Sequence, residues 1–456
     1  MMKEGLSPTM DKRYYKPELE AMSREDFLAF QWKELQKQIR YTYEKSELCR
    51  QQFKNAKITP DDIKTREDFT NKVPFTTKQD LVADQEKAPP YGTRLAVPKN
   101  DIFLTYITSG TSGKGQEVHT MTKDDLEFYV QAIIMIYTWS GWEKGDKVMN
   151  PLPVGMTIAS PIHFVGLQRI GCDVFNLGMY DTKTKLEFMG RFKLTGILSV
   201  PAYLGTLTAE AEGIGLDPAR DFSVEKILMA AQAYPISFVH KMEEKWNAKI
   251  YDYYGSTQYA VGCTCEKGAA IGEQRGYYHL FEYMAFHEVI NPETGKHVGP
   301  GEVGEMVVTP LNKEASPFLR FKLADRVRYF PHSACDCGRP FDLLEAGTIA
   351  RYDDMMKIKG INIWPETIDE IVLTKDEVVE YQGRLYISDD KKERAEIVVE
   401  FKARVAQDVK QRLMQKISDE VRDITGIGFV VKEAIKELPR HVFKARRWTD
   451  ERAKGM

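Results

Sequence analysis

The sequence predicts an α/β protein with a large N-terminal domain of layered α/β sheets, which includes a β subdomain, and a small α+β C-terminal domain. Between about residues 100 and 250, β-rich runs alternate with helical runs, which is typical of a largely parallel sheet covered on both sides by helices. After about residue 280 the pattern changes to short strands with Pro/Gly turns, which indicates an antiparallel β subdomain over about 280–350. The last hundred residues alternate strand, helix and strand, as in a small α+β domain.

The individual elements follow from the spacing of apolar residues. Helices are predicted where apolar residues recur among charged ones at helical spacing, and strands where β-branched and aromatic residues cluster. The predicted helices are 17–55, 126–137, 239–246 and 409–424. The predicted strands are 101–107, 147–150, 196–200, 249–253, 395–401 and 428–431.

Size, charge and apolar content limit the classes of function. At 456 residues and 52.3 kDa the chain is too long for one core, so two or more domains are expected. The formal net charge of −3 gives no reason to expect a nucleic-acid or membrane partner. The first twenty residues lack the apolar core of a secretory signal, and no apolar run approaches the ~20 residues of a membrane helix. We therefore expect a cytoplasmic enzyme.

The six cysteines are unevenly placed along the chain. Cys49 and Cys172 stand alone, as buried free thiols often do. In a chain without an export signal, close cysteine pairs favour metal binding over disulfides. Two such Cys-x-Cys pairs are present: Cys263/Cys265 and Cys335/Cys337.

A glycine-rich loop follows the predicted strand 101–107. Its glycines permit tight turns, and its hydroxyls and amides can surround phosphate oxygens. The lysine spacing differs from that of a Walker A loop, and no Ser or Thr follows the lysine. Taken alone, a plain surface turn explains the loop equally well. The loop consists of Thr108, Ser109, Gly110, Thr111, Ser112, Gly113, Lys114 and Gly115.

Three further stretches follow this loop in order: 254–258 (YGSTQ), 320–325 (RFKLAD) and 350–365 (ARYDDMMKIKGINIWP). Together with the loop, they resemble the adenylate-forming superfamily of acyl-CoA synthetases, luciferases and peptide-synthetase adenylation domains. Within it, the sequence resembles the phenylacetate–CoA ligase family. The marks of that family are NPETG at 291–295, Cys-x-Cys-Gly-Arg at 335–339 and Leu-Pro-Arg at 438–440 before a terminal lysine.

The resemblance implies an ATP-dependent aryl or arylacetic acid–CoA ligase, which forms acyl-AMP and pyrophosphate and then acyl-CoA and AMP. It assigns the loop 108–115 to the β- and γ-phosphates and places Tyr254 on the adenine, near Ala231 and Gln232. It implies that Asp325 accepts hydrogen bonds from both ribose hydroxyls, which suits a carboxylate with two acceptor oxygens. The other nucleotide-binding positions that it carries over are Gly255, Ser256, Thr257 and Gln258.

Three catalytic residues are also implied by the resemblance. Arg351 would approach the nucleotide from the domain junction, and Lys444 would bridge the carboxylate and the α-phosphate. Asp353 would be the hinge between an N-terminal domain, 1–350, and a mobile C-terminal lid, 351–456. Because carboxylate attack on ATP brings anions together, positive charge must be delivered there. Rotation about the hinge would then withdraw the lysine and open a path for the CoA thiol.

Several positions depart from the family pattern. Gln258 stands where the family usually has a glutamate that helps to hold Mg²⁺, and an amide oxygen is a neutral, weaker ligand for that ion. Gln232 replaces a common acidic residue, Ala350 replaces a glycine, and Gly115 replaces a proline. None of these changes removes a reacting group, but how Mg²⁺ is held becomes an open question.

Family members of this type can carry a zinc ion, and the resemblance suggests ligands for it here. Cys265, His279, Cys335 and Cys337 have the required ligand types, and Cys263 is a rival fourth thiolate. Four nitrogen and sulfur ligands would form a closed structural site. Thiols that bind no metal are the alternative.

The family's acyl pocket lies between the middle of the N-terminal domain and the adenine motif. Aromatic and small side chains in this region would suit a flat aryl ring, although each one alone is more often a core residue. A benzoate-like, arylacetate-like or fused-ring aryl carboxylate is the expected substrate. The candidate residues are Tyr137, Trp139, Pro161, His163, Phe164, Tyr234, Pro235, Tyr259 and Ala260.

Two other functions remain open at this point. One is an adenylyltransferase of the same fold, similar to the coenzyme F390 synthetases, which forms no thioester. The other is a catalytically silent protein that binds nucleotide and zinc, which Gln258 would favour but Lys444, Asp325 and Arg351 argue against. The expected ligands are ATP, CoA, Mg²⁺, a structural Zn²⁺ and a small aromatic acid, and a homodimer is the expected assembly.

Overall fold

A computed structural model describes residues 14–108, 115–153, 155, 158–388, 390–439 and 447–452. Six positions of the predicted phosphate loop, 109–114, and the predicted catalytic residue Lys444 lie outside the described residues.

Helices account for most of the first hundred residues and cover the sheet further along the chain. The α-helices are α1 (Pro17–Glu20), α2 (Arg24–Lys45), α3 (Glu47–Ala56), α4 (Arg66–Lys72), α5 (Lys78–Lys87), α6 (Lys123–Trp139), α7 (Ala159–Ile170), α8 (Thr182–Phe192), α9 (Pro201–Gly213), α10 (Pro218–Asp221), α11 (Ile236–Trp246), α12 (Pro365–Val372) and α13 (Gln407–Thr425). Short 3₁₀ turns lie at Pro60–Asp62, Lys99–Asp101, His332–Ala334 and Tyr352–Asp354.

The strands become more frequent after the middle of the chain. They are β1 (Leu104–Ile107), β2 (Val118–Met121), β3 (Lys147–Asn150), β4 (Asp173–Asn176), β5 (Gly196–Ser199), β6 (Lys226–Ala230), β7 (Lys249–Gly255), β8 (Ala260–Thr264), β9 (Ala270–Ile271), β10 (Gln274–Arg275), β11 (Tyr277–Leu280), β12 (Ala285–Ile290), β13 (Val303–Pro310), β14 (Phe321–Phe330), β15 (Leu343–Glu345), β16 (Ala350–Arg351), β17 (Met356–Ile358), β18 (Ile361–Ile363), β19 (Val378–Ile387), β20 (Glu393–Phe401), β21 (Val430–Glu433) and β22 (Trp448–Asp450).

Parallel and antiparallel strands form one twelve-stranded sheet, whose main path runs in the order β12-β13-β14-β15-β11-β8-β7-β6-β5-β3-β4, with β16 paired to β14. The run from β4 to β7 is parallel, and the remaining strands pair antiparallel. The predicted antiparallel region is therefore present, and its strands continue the parallel sheet edge to edge.

Helix α6 illustrates how local sequence positions the helices on this sheet. Thr122 caps its N-terminus, because its hydroxyl accepts a hydrogen bond from the Asp125 amide, and the Asp125 carboxylate in turn accepts one from the Thr122 amide. Residues spaced by three and four along α6, including Val130, Ile133 and Tyr137, are fully or almost fully buried in the main core. The helix thus packs one apolar face against the sheet and against α7.

A second sheet lies near the C-terminus, with the strand order β21-β20-β19-β22. Helices α12 and α13 pack with it around a separate core of residues between Met356 and Phe429, against which Trp448 also packs. The predicted α+β architecture of this region is confirmed by the structure. The division of the chain at residue 350 and the hinge at Asp353 remain predictions. No helix among the described residues is both long and apolar enough to span a membrane.

Candidate active site

A large cleft opens at the carboxyl ends of the parallel strands β5, β6 and β7. Its volume is about 2610 Å³, which exceeds the ~300–1,000 Å³ of a pocket for one small ligand. Open parallel sheets bind ligands at this edge because the loops that follow the strands converge there. The loop segments 199–202, 230–235 and 254–258 line the cleft, together with Asp325 and Arg351.

One wall of the cleft carries a linked group formed by Tyr254, Asp325 and Arg351. The Tyr254 hydroxyl donates to Asp325 Oδ2 at 2.5 Å, and Arg351 Nη1 lies 3.0 Å from Asp325 Oδ1. Burial and the nearby Asp325 carboxylate raise the pKa of Tyr254 well above its usual value, so the phenol remains a donor. A tyrosine ring, a carboxylate and a guanidinium thus line the cleft together.

Sheet register explains why these three side chains meet. Asp325 on β14 pairs directly opposite Arg351 on β16. The β13–β14 register is irregular between Lys322 and Arg326, a stretch that includes Asp325, and Ala324 within it has φ of 59°. Irregularities such as β-bulges redirect side chains, and they recur next to active sites. Arg351 Nη2 also lies 3.4 Å from Asp353 Oδ2, which places the predicted hinge residue against the wall formed by Tyr254, Asp325 and Arg351.

A buried carboxylate, Asp252, lies beneath the wall that carries Tyr254. Asp252 accepts hydrogen bonds from the hydroxyls of Tyr278 and Tyr234, the latter at 2.7 Å. Burial raises the pKa of Asp252 to about 7, although the two tyrosine hydrogen bonds oppose the shift. Because side chains alternate along a strand, Asp252 and Tyr254 project from one face of β7 and Tyr253 from the other.

Ala231 and Gln232 also line the cleft. Ala231 has φ of 69°, a left-handed conformation that residues other than glycine rarely adopt and that recurs at functional sites. The Gln232 side chain accepts a hydrogen bond from the Ala202 amide at 3.1 Å, so it links the loop after β6 to the N-terminus of α9. Both residues line the same cleft as Tyr254, and their contact with adenine stays a prediction.

The end of the cleft next to Thr108, the first residue of the predicted phosphate loop, contains a carboxylate that the sequence analysis did not select. Glu117 follows the predicted phosphate loop, and its backbone hydrogen-bonds with Thr108. Its carboxylate accepts from Gln258 Nε2 at 2.5 Å and lies 2.9 Å from His119 Nε2. Burial would raise the pKa of Glu117, but the bonds to His119 and Gln258 outweigh burial and lower it. The only signal in the sequence for Glu117 was that it lies two residues after the glycine-rich loop 108–115.

This arrangement bears on how Mg²⁺ is held. Mg²⁺ is usually bound by one or two carboxylates together with phosphate oxygens and water. Glu117 lines the cleft and has a carboxylate that could serve as such a ligand. The Glu117 carboxylate can only accept hydrogen bonds when ionised, so the amide nitrogen of Gln258 must face it. The pair next to the predicted phosphate loop therefore consists of one carboxylate, Glu117, and one neutral amide, Gln258.

We expect Gln258→Glu, which restores the usual residue of the family, to lower kcat/KM for ATP roughly tenfold, because it places two carboxylates at hydrogen-bonding distance and like charges oppose ionisation. The double variant Glu117→Gln/Gln258→Glu exchanges the two groups and should recover activity to within a few-fold. Pyrophosphate release at varied ATP concentration measures both effects. A fully active Gln258→Glu variant would show that the two side chains are not coupled.

The predicted acyl-pocket residues divide into two groups. Tyr234 and Pro235 line the cleft, whereas the others are absent from its lining. Trp139 lies deep in the core, where its indole donates to Glu20 Oε2 at 2.7 Å. His163 is also fully buried, and both of its ring nitrogens contact tyrosine hydroxyls. The remaining members of the second group are Tyr137, Pro161, Phe164, Tyr259 and Ala260.

Side chains that the sequence analysis did not select form the apolar side of the cleft. Most of them come from the facing surfaces of α6 and α7 and from the ends of β3, β5 and β7, and they belong to one apolar cluster. Some of them lie within predicted elements, in the helix 126–137 and in the strands 196–200 and 249–253, but periodicity does not distinguish a core residue from one that lines a cavity. They are Tyr129, Ile133, Leu152, Ile158, Ile162, Leu198 and Tyr253.

Three cysteines and one histidine, which are residue types that bind metals, form a cluster next to Trp139, whose ring contacts His279. The ligand atoms of Cys265, His279, Cys335 and Cys337 all lie within 4.8 Å of one another. Cys337 Sγ is 3.6 Å from His279 Nε2. For tetrahedral zinc with usual bond lengths, a sulfur and a nitrogen ligand are separated by about 3.6 Å. The donor set and its spacing thus fit a closed structural zinc site.

The structure separates Cys263 from this cluster, although Cys263 is only two residues from Cys265. Strand β8 ends at Thr264, and a turn closed by the Gly268 amide and the Cys265 carbonyl follows. Cys263 therefore remains in the main apolar core, while Cys265 joins Cys335. Sequence spacing alone left both thiols available as ligands.

A fully buried arginine accompanies the cluster. Arg339 lies 4.4 Å from the centroid of the Trp139 ring and forms a 2.8 Å ion pair with Glu266. The Glu266 and Cys337 charges raise the pKa of Arg339 above its usual value, although burial opposes the shift. Three thiolates around Zn²⁺ would leave one net negative charge, and a buried guanidinium would offset it.

Residues 28–310 match the AMP-binding enzyme family, and residues 360–452 match the AMP-binding enzyme C-terminal domain. Because the first match covers more than half of the chain and agrees with the cleft described above, the chain belongs to the AMP-binding enzyme family, within the adenylate-forming superfamily that its motifs resemble.

Individual relatives narrow the comparison. The chain is 29% identical to a phenylacetate-coenzyme A ligase of Pseudomonas putida, with 95% of this chain and 96% of the relative covered. It is 28% identical to the enzyme of the same name from Thermus thermophilus, with 89% and 88% covered.

Solved structures show the same fold. A crystal structure of 2-hydroxyisobutyryl-CoA ligase in the postadenylation state, in complex with R3-HIB-AMP, superimposes with a TM-score of 0.87 at 23% identity. It covers 100% of this chain and 96% of that one. The same ligase in the thioesterification state, with 2-HIB-AMP and CoA, gives a TM-score of 0.70 at 24% identity, covering 99% and 95%.

Proposed function

We propose that this protein is an AMP-forming acid–CoA ligase that activates an aromatic or arylacetic acid. The observation that carries this proposal is the linked group of Tyr254, Asp325 and Arg351 on one wall of a cleft whose other wall is apolar. The first wall suits a ribonucleotide, and the second suits an acyl group. The phenylacetate-coenzyme A ligases among the relatives support CoA as acceptor and an arylacetic acid as substrate.

The nucleotide would be held by groups of complementary charge. Asp325 would accept hydrogen bonds from the ribose hydroxyls, while Arg351 holds the carboxylate in place and adds positive charge nearby. Tyr254 would pack against the adenine with Ala231 and Gln232 beside it. Bound Mg²⁺ would neutralise phosphate charge. Lys444 and loop residues 109–114 keep the roles implied by the family resemblance.

The reaction would proceed in two transfers. In the first, a carboxylate oxygen of the acid bonds to the α-phosphorus of ATP, and pyrophosphate leaves. In the second, the CoA thiolate bonds to the acyl carbon, and AMP leaves with the electron pair of the broken carbon–oxygen bond. We propose that residues 351–456 act as a lid that turns about Asp353 between these steps, since one cleft must serve both transfers.

Pyrophosphate release from ATP across a panel of aryl acids, each with and without CoA, tests this function. We expect release that depends on one class of acid, with loss of free thiol and formation of AMP when CoA is present. In the same assay, Lys444→Ala should lower adenylation at least about 100-fold, because it removes the positive charge supplied at the reacting oxygens. It should largely spare thioester formation from supplied acyl-AMP.

The other possible outcomes of these assays would each contradict part of the proposed function. Acid-dependent pyrophosphate release without thiol loss would indicate an adenylate-transferring enzyme. Nucleotide binding without release for any acid would contradict a ligase of aromatic acids. Equal loss of both half-reactions in Lys444→Ala would contradict the role given to Lys444.

A further inference from the structure

A chain of three hydrogen-bonded side chains connects the protein core to the apolar side of the cleft. The Tyr137 hydroxyl on α6 lies 2.8 Å from His163 Nδ1 on α7, and His163 Nε2 lies 2.6 Å from the Tyr253 hydroxyl on β7. Helices α6 and α7 can approach closely because Gly166 has no side chain: a Cβ there would lie 2.5 Å from Ile133 Cγ2. Tyr137 and His163 are fully buried, whereas Tyr253 is half-buried and lines the cleft.

The protonation state of His163 determines which way these hydrogen bonds run. Burial lowers the pKa of His163 to about 3, so its ring is neutral near pH 7 and has one N–H donor and one acceptor nitrogen. Both neighbours are phenols, and burial raises the pKa of each, so both retain their protons. Two directions of the chain are therefore possible, according to which ring nitrogen is protonated.

One direction satisfies more buried groups than the other. If His163 Nδ1 donated to Tyr137, the Tyr137 O–H would need another acceptor, and none contacts it in the described part of the chain. If Tyr137 instead donates to Nδ1, then Nε2–H donates to the Tyr253 oxygen and every member of the chain is paired. The unused O–H hydrogen is then on Tyr253, at the surface of the cleft.

The surroundings of Tyr253 identify what this hydrogen can meet. Ile133, Ile162 and Leu198 line the same side of the cleft and belong to the apolar cluster against which Tyr253 packs. Among the described residues, the Tyr253 hydroxyl has no hydrogen-bond partner besides His163. In a pocket lined mainly by apolar side chains, a few polar groups provide specificity because each one pairs with a polar group of the ligand. The Tyr253 hydroxyl is a hydrogen-bond donor of this kind.

We propose that Tyr253 determines the specificity of the acyl pocket and that the activated acid carries a hydrogen-bond acceptor on its acyl group, such as a hydroxyl, keto or ether oxygen. This inference rests on the proposed ligase function. The substrate carboxylate is not the expected partner, because it must meet the α-phosphate on the Tyr254 side of β7. Tyr253 projects from the opposite face of the strand.

The test compares wild type and Tyr253→Phe on matched acids: phenylacetate and benzoate, each with its 2-, 3- and 4-hydroxy derivatives. Wild type should favour at least one hydroxy acid over its parent in kcat/KM for pyrophosphate release. Tyr253→Phe should reduce that preference roughly tenfold and change kcat/KM for the parent acid less than about threefold. A similar loss for every acid, or no change for any, would overturn the proposal. Absence of release with all acids would contradict the ligase function itself.

Two variants of His163 test its role as the positioning residue. Glutamine can accept from Tyr137 through its carbonyl oxygen and donate to Tyr253 through its amide, so His163→Gln should keep the preference for the hydroxy acid. His163→Leu supplies neither group and should lose it, although His163 does not line the cleft. A preference retained in His163→Leu would show that the ring does not orient Tyr253. Because Tyr253→Phe removes only the hydroxyl of a half-buried residue that lines the cleft, it remains informative if the His163 variants fold poorly.

Discussion

Asp325→Asn is expected to lower kcat/KM for ATP in the adenylation step roughly 100-fold, since hydrogen bonds to a charged group contribute about 1.5–3 kcal/mol each and an amide can replace only one acceptor. Asparagine has nearly the same shape as aspartate, so the change removes charge and one acceptor oxygen without opening a cavity. The bond from the Tyr254 hydroxyl can persist, but the ion pair with Arg351 is lost.

Two control variants make this result specific. Tyr254→Phe removes the hydroxyl that donates to Asp325 but leaves the carboxylate, so its effect should be several-fold smaller. Asp408→Asn makes the same chemical change on the exposed surface of α13 and should leave kcat/KM unchanged. Initial rates of acid-dependent pyrophosphate release at varied ATP, with thermal unfolding to verify the fold, provide the measurement. If Asp325→Asn binds and adenylates normally, the ribose is bound elsewhere.

Replacing one member of the predicted zinc site formed by Cys265, His279, Cys335 and Cys337 is expected to have the largest effect on stability. The purified protein should contain one zinc per chain, and Cys265→Ser should contain almost none, because a hydroxyl does not replace a thiolate at zinc. Loss of the ion would change the charge of the cysteine cluster beside Arg339. It would also remove the link between the turn at Cys265 and the segment 335–337. We expect the unfolding midpoint to fall by at least about 5 °C.

Cys263→Ser is the matched control for this experiment. It also places a hydroxyl at a fully buried cysteine position in the same region, but outside the cluster. It should retain one zinc per chain, and any loss of stability that it causes measures the effect of a buried hydroxyl alone. Metal content by elemental analysis separates the two variants. Zinc retained in Cys265→Ser, or absent from wild type, would contradict a structural zinc site.

Local patterns located most of the elements that were predicted, although the region 17–55 predicted as helical is divided into the three helices α1, α2 and α3. The predicted strand 147–150 coincides with β3, the helix 239–246 lies within α11, and the strand 249–253 lies within β7. Spacing of apolar residues and the turn residues between runs carry this information, because both act within a few residues of one another. The order of the nucleotide-binding stretches was likewise visible along the chain.

Contacts between distant residues required the folded chain. The sequence contains both Tyr254 and Asp325, but only the sheet register and its irregularity at Ala324 bring them to 2.5 Å. Trp139 and Tyr253 are both aromatic residues near predicted elements, yet one faces the core and the other faces the cleft.

The amino-acid pattern thus specified the fold class, the family and the chemical types of the site, since those properties follow from short-range spacing and motif order. Which cysteines share a ligand cluster, and which carboxylate lies next to the predicted phosphate loop in the cleft, depended on tertiary structure. The turn after β8 separates Cys265 from Cys263, and packing brings Glu117 to Gln258 across 141 positions of the chain. Distances of this kind arise from strand register and helix packing, which no local segment encodes by itself.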